Sequence, residues 1–199
     1  MKSSVCKIEQ GSQDLEAILK ESERVAAYMG LTHKQTLQLR LLCEEMDGML
    51  PHIIDDFEGD IWFEYEANVC KIKVSIDIPA FNTGKKAELI ELAKNKKNVA
   101  AMGLVGKIRN AIENFFLSEE TIWALSVSSG TFHLATGYSE GVDYTYLWSL
   151  EEYRNAMTEE EQPEEWDELE KSVIASVADD VVVGVKGSRA DIVIVKKFA

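Results

Sequence analysis

The sequence predicts an α+β fold: a two-layer sandwich in which helices cover one face of a mixed or antiparallel sheet, with a large middle insertion. Three observations lead to it. Residues 15–50 carry apolar side chains at helical spacing, Ile61–Ile76 alternates as a hairpin, and Val181–Val185 with Ala190–Val195 read as a second hairpin about a Gly-Ser turn. A chain of 199 residues, 46% hydrophobic and 28% charged, is long enough to bury about 70% of the surface its unfolded form exposes. One domain is therefore expected over 1–199, with 85–160 as the insertion.

Leu15, Ile18, Leu19, Val25, Ala26 and Met29 form the stripe of a first helix that Gly30 stops. Thr32 opens a second helix from His33 to Leu50, ended by Pro51. Ile61, Phe63, Tyr65 and Ala67 alternate with Trp62, Glu64 and Glu66. After a turn at Asn68-Val69, Cys70, Ile72, Val74 and Ile76 alternate with Lys71, Lys73 and Ser75. Such strands have one dry and one wetter face, as in an antiparallel sheet covered on one side.

Pro79–Gly84 reads as a loop, Lys85–Lys94 as a helix broken by the Lys94–Lys97 run, and Ala100–Leu117 as an apolar helix. Two or three strands are expected, over Thr121–Ser128, Thr131–Tyr138 and Val142–Trp148, with turns at Ser129-Gly130 and Glu140-Gly141. Ser149 and Glu152 have capping-box spacing, which opens a short helix to Met157. Glu159–Glu170 holds eight acids in twelve residues, the composition of a solvated face. Pro163 starts a helix whose stripe is Trp166, Leu169, Val173 and Val177, and a turn at Gly187-Ser188 closes the last hairpin.

The net charge is −14, with 21 basic against 35 acidic residues. Such a surface repels phosphate backbones and anionic lipid, so neither nucleic acid nor a membrane is an expected partner. The first sixteen residues lack the apolar centre of a signal peptide. Cys6, Cys43 and Cys70 make an odd, scattered set, and a cytoplasmic location with reduced thiols follows as the expectation.

No CxxC, HExxH, GxSxG or GxxxxGK[ST] motif is present, which removes the commonest zinc, hydrolase and NTPase signatures. His52, Asp55 and Asp56 offer metal donors, but a solvated loop after Pro51 accounts for them more simply. His33 and His133 have no partner at useful spacing, and Cys43 and Cys70 sit on apolar faces as core residues. The aromatic set Tyr138, Tyr144, Tyr146, Trp148 and Tyr153 reads as a core or interface face.

Three segments in this order carry a resemblance: LRLLCEEMDGMLPHI (Leu39–Ile53), KIKVSIDIPAF (Lys71–Phe81) and LEKSVIASVADDVVVGVKGSRADIVIVKKF (Leu169–Phe198). Together they resemble the GHKL superfamily, the Bergerat-type ATP-binding fold of histidine kinases, and are nearest to anti-sigma-factor serine kinases. The resemblance covers the two ends of the chain, and the middle would replace or enlarge the mobile lid over the nucleotide. It implies ATP and Mg²⁺ as cofactors.

In that family a helix carboxylate positions the attacking water or activates the acceptor hydroxyl, and an asparagine four residues on holds the metal. Here Glu44 fills the acidic position with Gly48 four residues on, or Glu45 fills it with Met49 four on; Asp47 is the nearby oxygen donor for a shifted metal. Asp77 matches the aspartate that reads the adenine amino group, although the DxGxG glycines are absent from Asp77-Ile78-Pro79-Ala80-Phe81. Where the family has glycines before its closing helix, this chain has Glu164, Glu165, Asp167 and Glu168, whose charges would oppose a triphosphate. Gly103 and Gly106, with Lys107 next to them, form a second candidate for the phosphate-binding helix start, in a basic stretch with Lys96, Lys97 and Arg109.

Three functions follow as expectations. The first is an ATP-binding regulator of the anti-sigma-kinase type. The second is a nucleotide-dead module acting through a protein partner, with a homodimer left open. The third is an unrelated α+β domain with its own small ligand. The first requires Glu44 and Asp77 to stand on facing walls of one cleft.

Overall fold

A computed structural model describes residues 1–11, 15–54, 57–77, 103–117, 145–156, 171–186 and 188–199. Along the chain these form β1 (Cys6–Glu9), α1 (Leu15–Met29), α2 (His33–Ile53), β2 (Glu58–Glu66), β3 (Val69–Asp77) and α3 (Gly103–Leu117). Then come β4 (Thr145–Ser149), α4 (Leu150–Ala156), α5 (Val173–Val177), β5 (Asp180–Lys186) and β6 (Arg189–Lys197). The six strands make one sheet in the order β1-β2-β3-β6-β5-β4, and every neighbouring pair is antiparallel. The expected α+β architecture is present.

Strand periodicity sets the two faces. Cys70, Ile72, Val74 and Ile76 of β3 are at most 1% exposed, and in register beside them lie Ala190, Ile192 and Ile194 of β6. Against this row pack Leu39, Leu42, Cys43, Met46 and Leu50 of α2, in one core. The two hairpins β2–β3 and β5–β6 are local, whereas β3 and β6 join across a long stretch of chain, through nine register pairs from Val69↔Lys197 to Asp77↔Arg189.

The predicted caps form. Gly30, at φ +67°, ends α1 with its N–H donating to Ala27 O (3.1 Å) while Leu31 N–H donates to Ala26 O (3.0 Å), the paired bonds of a left-handed helix stop. Thr32 and Gln35 form a reciprocal capping box on α2. Ser149 Oγ accepts the Glu152 N–H at 3.1 Å, as its spacing predicts, and opens α4.

Four features depart from the sequence expectation. The sheet gains an edge strand, β1, for which the sequence pattern sets no expectation. Its four residues are too few for alternation to stand out, but Ile8 is buried and Ser3 N–H donates to Phe63 O at 2.9 Å. Helix α2 runs through Pro51 to Ile53. Proline removes one donor in the last turn, and Ile54 N–H restores the ladder on Leu50 O at 3.1 Å. The β2–β3 turn is Ala67-Asn68, one residue earlier than expected, because Glu66 pairs with Val69. Finally, Val173 and Val177 do not continue a helix from Pro163. Ser172 is extended (φ −78°, ψ 121°) and starts α5 afresh, its side chain accepting from Ala175 N–H.

The expectations at Pro79–Gly84, Lys85–Lys94, Thr121–Ser128, Thr131–Tyr138 and Glu159–Glu170, and the acids Glu164, Glu165, Asp167 and Glu168, lie outside the described residues. Among those described, no helix is long and apolar enough to cross a membrane.

Ala67 holds φ +50° at the first turn position, a conformation that favours glycine. Ala67→Gly is therefore expected to stabilise the protein by about 0.5–1 kcal/mol, read as a raised urea midpoint at unchanged slope.

Candidate functional site

Helix α2 presents three sides. Leu42, Met46, Leu50 and Ile53 face the sheet and are at most 4% exposed. One flank meets α1, where the Arg40 guanidinium pairs with Glu23. The other flank carries Glu45 and Met49, and there a cavity of about 290 Å³ opens. Its opposite walls are the start of α3 (Gly103, Leu104 and Val105) and the entry to α5 (Lys171 to Ile174). Gly103 holds φ +78°, so the α3 backbone begins in a conformation that a side chain would strain.

Two of the residues singled out from the sequence, Glu45 and Gly103, thus meet across one cavity although 57 positions separate them along the chain. The others do not line it. At 3.6 residues per turn, Glu44 and Gly48 fall on the outward side of α2, opposite its buried row, and both are exposed. The Glu44 carboxylate is 3.6 Å from the Arg40 guanidinium one turn earlier. A Cβ on Gly48 would meet nothing within 4 Å, so no group presses close there. Asp47, seven residues after Arg40, lies on the flank toward α1, half-buried and already partnered. Gly106 is buried within α3. Lys107 places its ammonium over the Tyr153 ring, 4.8 Å from the centroid, and Tyr153 in turn packs on Trp148 with ring centroids 5.8 Å apart.

Asp77 requires a larger correction. Because Cys70, Ile72, Val74 and Ile76 point to the helices, the alternate residues Lys71, Lys73, Ser75 and Asp77 stand on the far face of the sheet. There Arg189 bridges two carboxylates, with Nε 3.1 Å from Asp77 Oδ1 and Nη2 3.2 Å from Asp60 Oδ2, while Lys7 Nζ lies 2.6 Å from Asp60 Oδ1. These pairs cross-link β1, β2, β3 and β6. The expected cleft with Glu44 and Asp77 on facing walls is not formed, since the two residues lie on opposite sides of the sheet.

Compared with known proteins, the chain matches no family model, no curated protein and no solved structure. The chemistry of the site therefore rests on its own residues. Mg²⁺ needs converging oxygen ligands; Gly48 has no side-chain oxygen, and among the described residues no group of three or more His, Cys, Asp or Glu is gathered around a point. The residues do not fit Mg²⁺ with ATP in the arrangement the resemblance implies. Nor do the core thiols offer a nucleophile. Burial pushes the Cys70 thiol up to about 12, and burial together with the neighbouring Cys70 raises Cys43 further, so both stay protonated, as core residues do.

Sequence reasoning missed Met49 as a lining residue, and Lys171 and Ser172 altogether. A signal exists for the last, a serine three residues before Ala175 at a helix start, but the preference of proline for a first helical position puts the expected boundary at Pro163 instead.

The Asp60 cluster gives a pH prediction. Its hydrogen bond to Lys7, and then that to Arg189, hold the Asp60 carboxyl below the usual range. A group whose folded pKa is depressed stabilises the fold above its unfolded pKa of about 3.9 and loses that contribution as pH falls through the folded value. Stability of the native protein should fall as pH drops below about 4. Asp60→Asn should flatten that limb of a urea-midpoint against pH curve; an unchanged limb would show that other carboxylates dominate acid unfolding.

Proposed function

We propose that this chain is a cytoplasmic regulatory module on a histidine-kinase-like architecture that acts by binding a protein partner, without turning over ATP. The supporting observation is the phase of Asp77: the residue that would read adenine belongs to the sheet face turned away from α2 and is spent on Arg189. The outward Glu44, paired with Arg40, and the bare Gly48 agree with it. The odd, scattered set of three cysteines supports a reducing compartment.

Calorimetric titration with ATP and ADP, with and without Mg²⁺, tests this reading. The expected result at millimolar nucleotide is no heat beyond dilution and no change in melting temperature. A ligand present at 100 times its Kd would stabilise the fold by about 2.7 kcal/mol, a shift that is easily seen. Saturable binding would restore the nucleotide-dependent alternative and make a kinase assay the next step.

A further inference from the structure

Among the described residues that line the cavity between α2, α3 and α5, three carry polar side chains, in different states. The Ser172 hydroxyl accepts the Ala175 N–H at 3.2 Å. Lys171 already has a partner. Glu45, half-buried, makes no hydrogen bond or ion pair with any described residue. Around it the walls are apolar: Met49, Leu104 and Ile174 are at most 5% exposed. Among the described lining residues, the uncommitted polar group is therefore the Glu45 carboxylate, at the side of an apolar slot.

That combination selects an ammonium on a flexible apolar stem. A lysine side chain lays four methylenes along apolar surface and ends in a compact point charge that one carboxylate satisfies. The charge of the whole chain works in the same direction. At −14 it draws basic segments toward it and repels anions.

We propose that the α2–α3–α5 cavity receives a lysine side chain of the partner protein, with Glu45 as its counter-charge. This rests on the reading of the chain as a partner-binding module and names the seat of that partner.

The test uses the full chain carrying ¹³C-methyl methionine, followed by NMR and titrated with a peptide of alternating lysine and alanine. Saturable movement of the Met49 methyl is expected, and acetylating the peptide lysines should abolish it. Glu45→Gln should weaken binding by about tenfold, as for a partly desolvated charge pair. Glu16→Gln, which removes the same charge from an exposed site on α1, should change it by less than about twofold. Glu45→Asp, with the charge drawn back by one methylene, should fall between these two.

The proposal is overturned if the Met49 methyl stays still while the peptide binds, or if Glu45→Gln and Glu16→Gln weaken binding equally. Either result would assign the peptide to the acidic surface at large and leave the partner-binding reading standing. Movement of the same methyl by ATP with Mg²⁺ would instead overturn that reading.

Discussion

Phe63→Ala should lower the stability of this protein by about 3–5 kcal/mol, the range for removing a fully buried aromatic ring. Phe63 has no exposed surface and sits in the middle of β2, between Ile61 and the partly buried Tyr65, against the α2 face of the core. Its backbone also anchors the start of the chain: Ser3 N–H donates to Phe63 O at 2.9 Å, and Phe63 N–H donates to Ser3 Oγ at 2.8 Å. Loss of the ring leaves a cavity directly beneath the edge of the sheet, so the segment before β1 should loosen along with the core. Urea unfolding gives the first effect and amide hydrogen exchange at residues 1–9 the second. A loss below about 1 kcal/mol would mean that neighbouring side chains collapse into the space, contrary to the close packing described here.

Gly59→Ala is expected to be the next most damaging change. A Cβ at this position would overlap the Ser75 carbonyl oxygen and lie 3.0 Å from Ile76 Cα. Both obstacles are backbone of β3, which is itself fixed by β6 on its other side, so no side chain can swing away to relieve them. Overpacking of this kind costs about 1–3 kcal/mol, and here the strain falls on the Gly59↔Ile76 pair and on Ile8, which is in register with Gly59 from β1. The expected readout is a lower urea midpoint with reduced protection of β1 and β2 amides. A variant as stable as the parent would show that β2 can bow outward at its start without loss.

Much of the architecture could be read from residue pattern because the helices and hairpins that form it are strongly periodic. The α1 and α2 stripes, the Gly30 stop, the Thr32 start and both hairpins follow directly from spacing. The alternation that identified β3 also carried information about the site. With Cys70, Ile72, Val74 and Ile76 as the dry set, Asp77 belongs to the wet set, on the face opposite α2, before any family pattern is laid over it. The resemblance at Asp77 is one of residue type and does not extend to the strand phase.

On α2 the same reasoning separates two adjacent acids. Glu44 and Glu45 differ by 100° around the helix, which places one outward and the other on the flank where α3 begins. What pattern alone could not supply was distance along the chain. Nothing in the local residues around Glu45, Gly103 or Lys171 announces that their three segments converge, since that follows from how α3 and α5 pack beside α2. The four-residue β1 was hidden for a different reason, being shorter than the window over which alternation becomes visible.

The pairing of β3 with β6 has a consequence for how the chain assembles. Each of the two hairpins closes over a few residues, but Asp77 and Arg189 must find each other across more than a hundred. The entropy of closing such a loop grows only logarithmically, by about 0.6 kcal/mol for each doubling of its length. The chain between holds α3, β4, α4, α5 and β5, and the packing of these elements into the same core helps to offset that cost. Kinetics are less forgiving, since distant strand pairing is slow. Until it happens, β3 and β6 are both bare edges, each open to the wrong neighbour. During synthesis β3 thus stands as an unpaired edge in the interval before the β5–β6 hairpin has emerged.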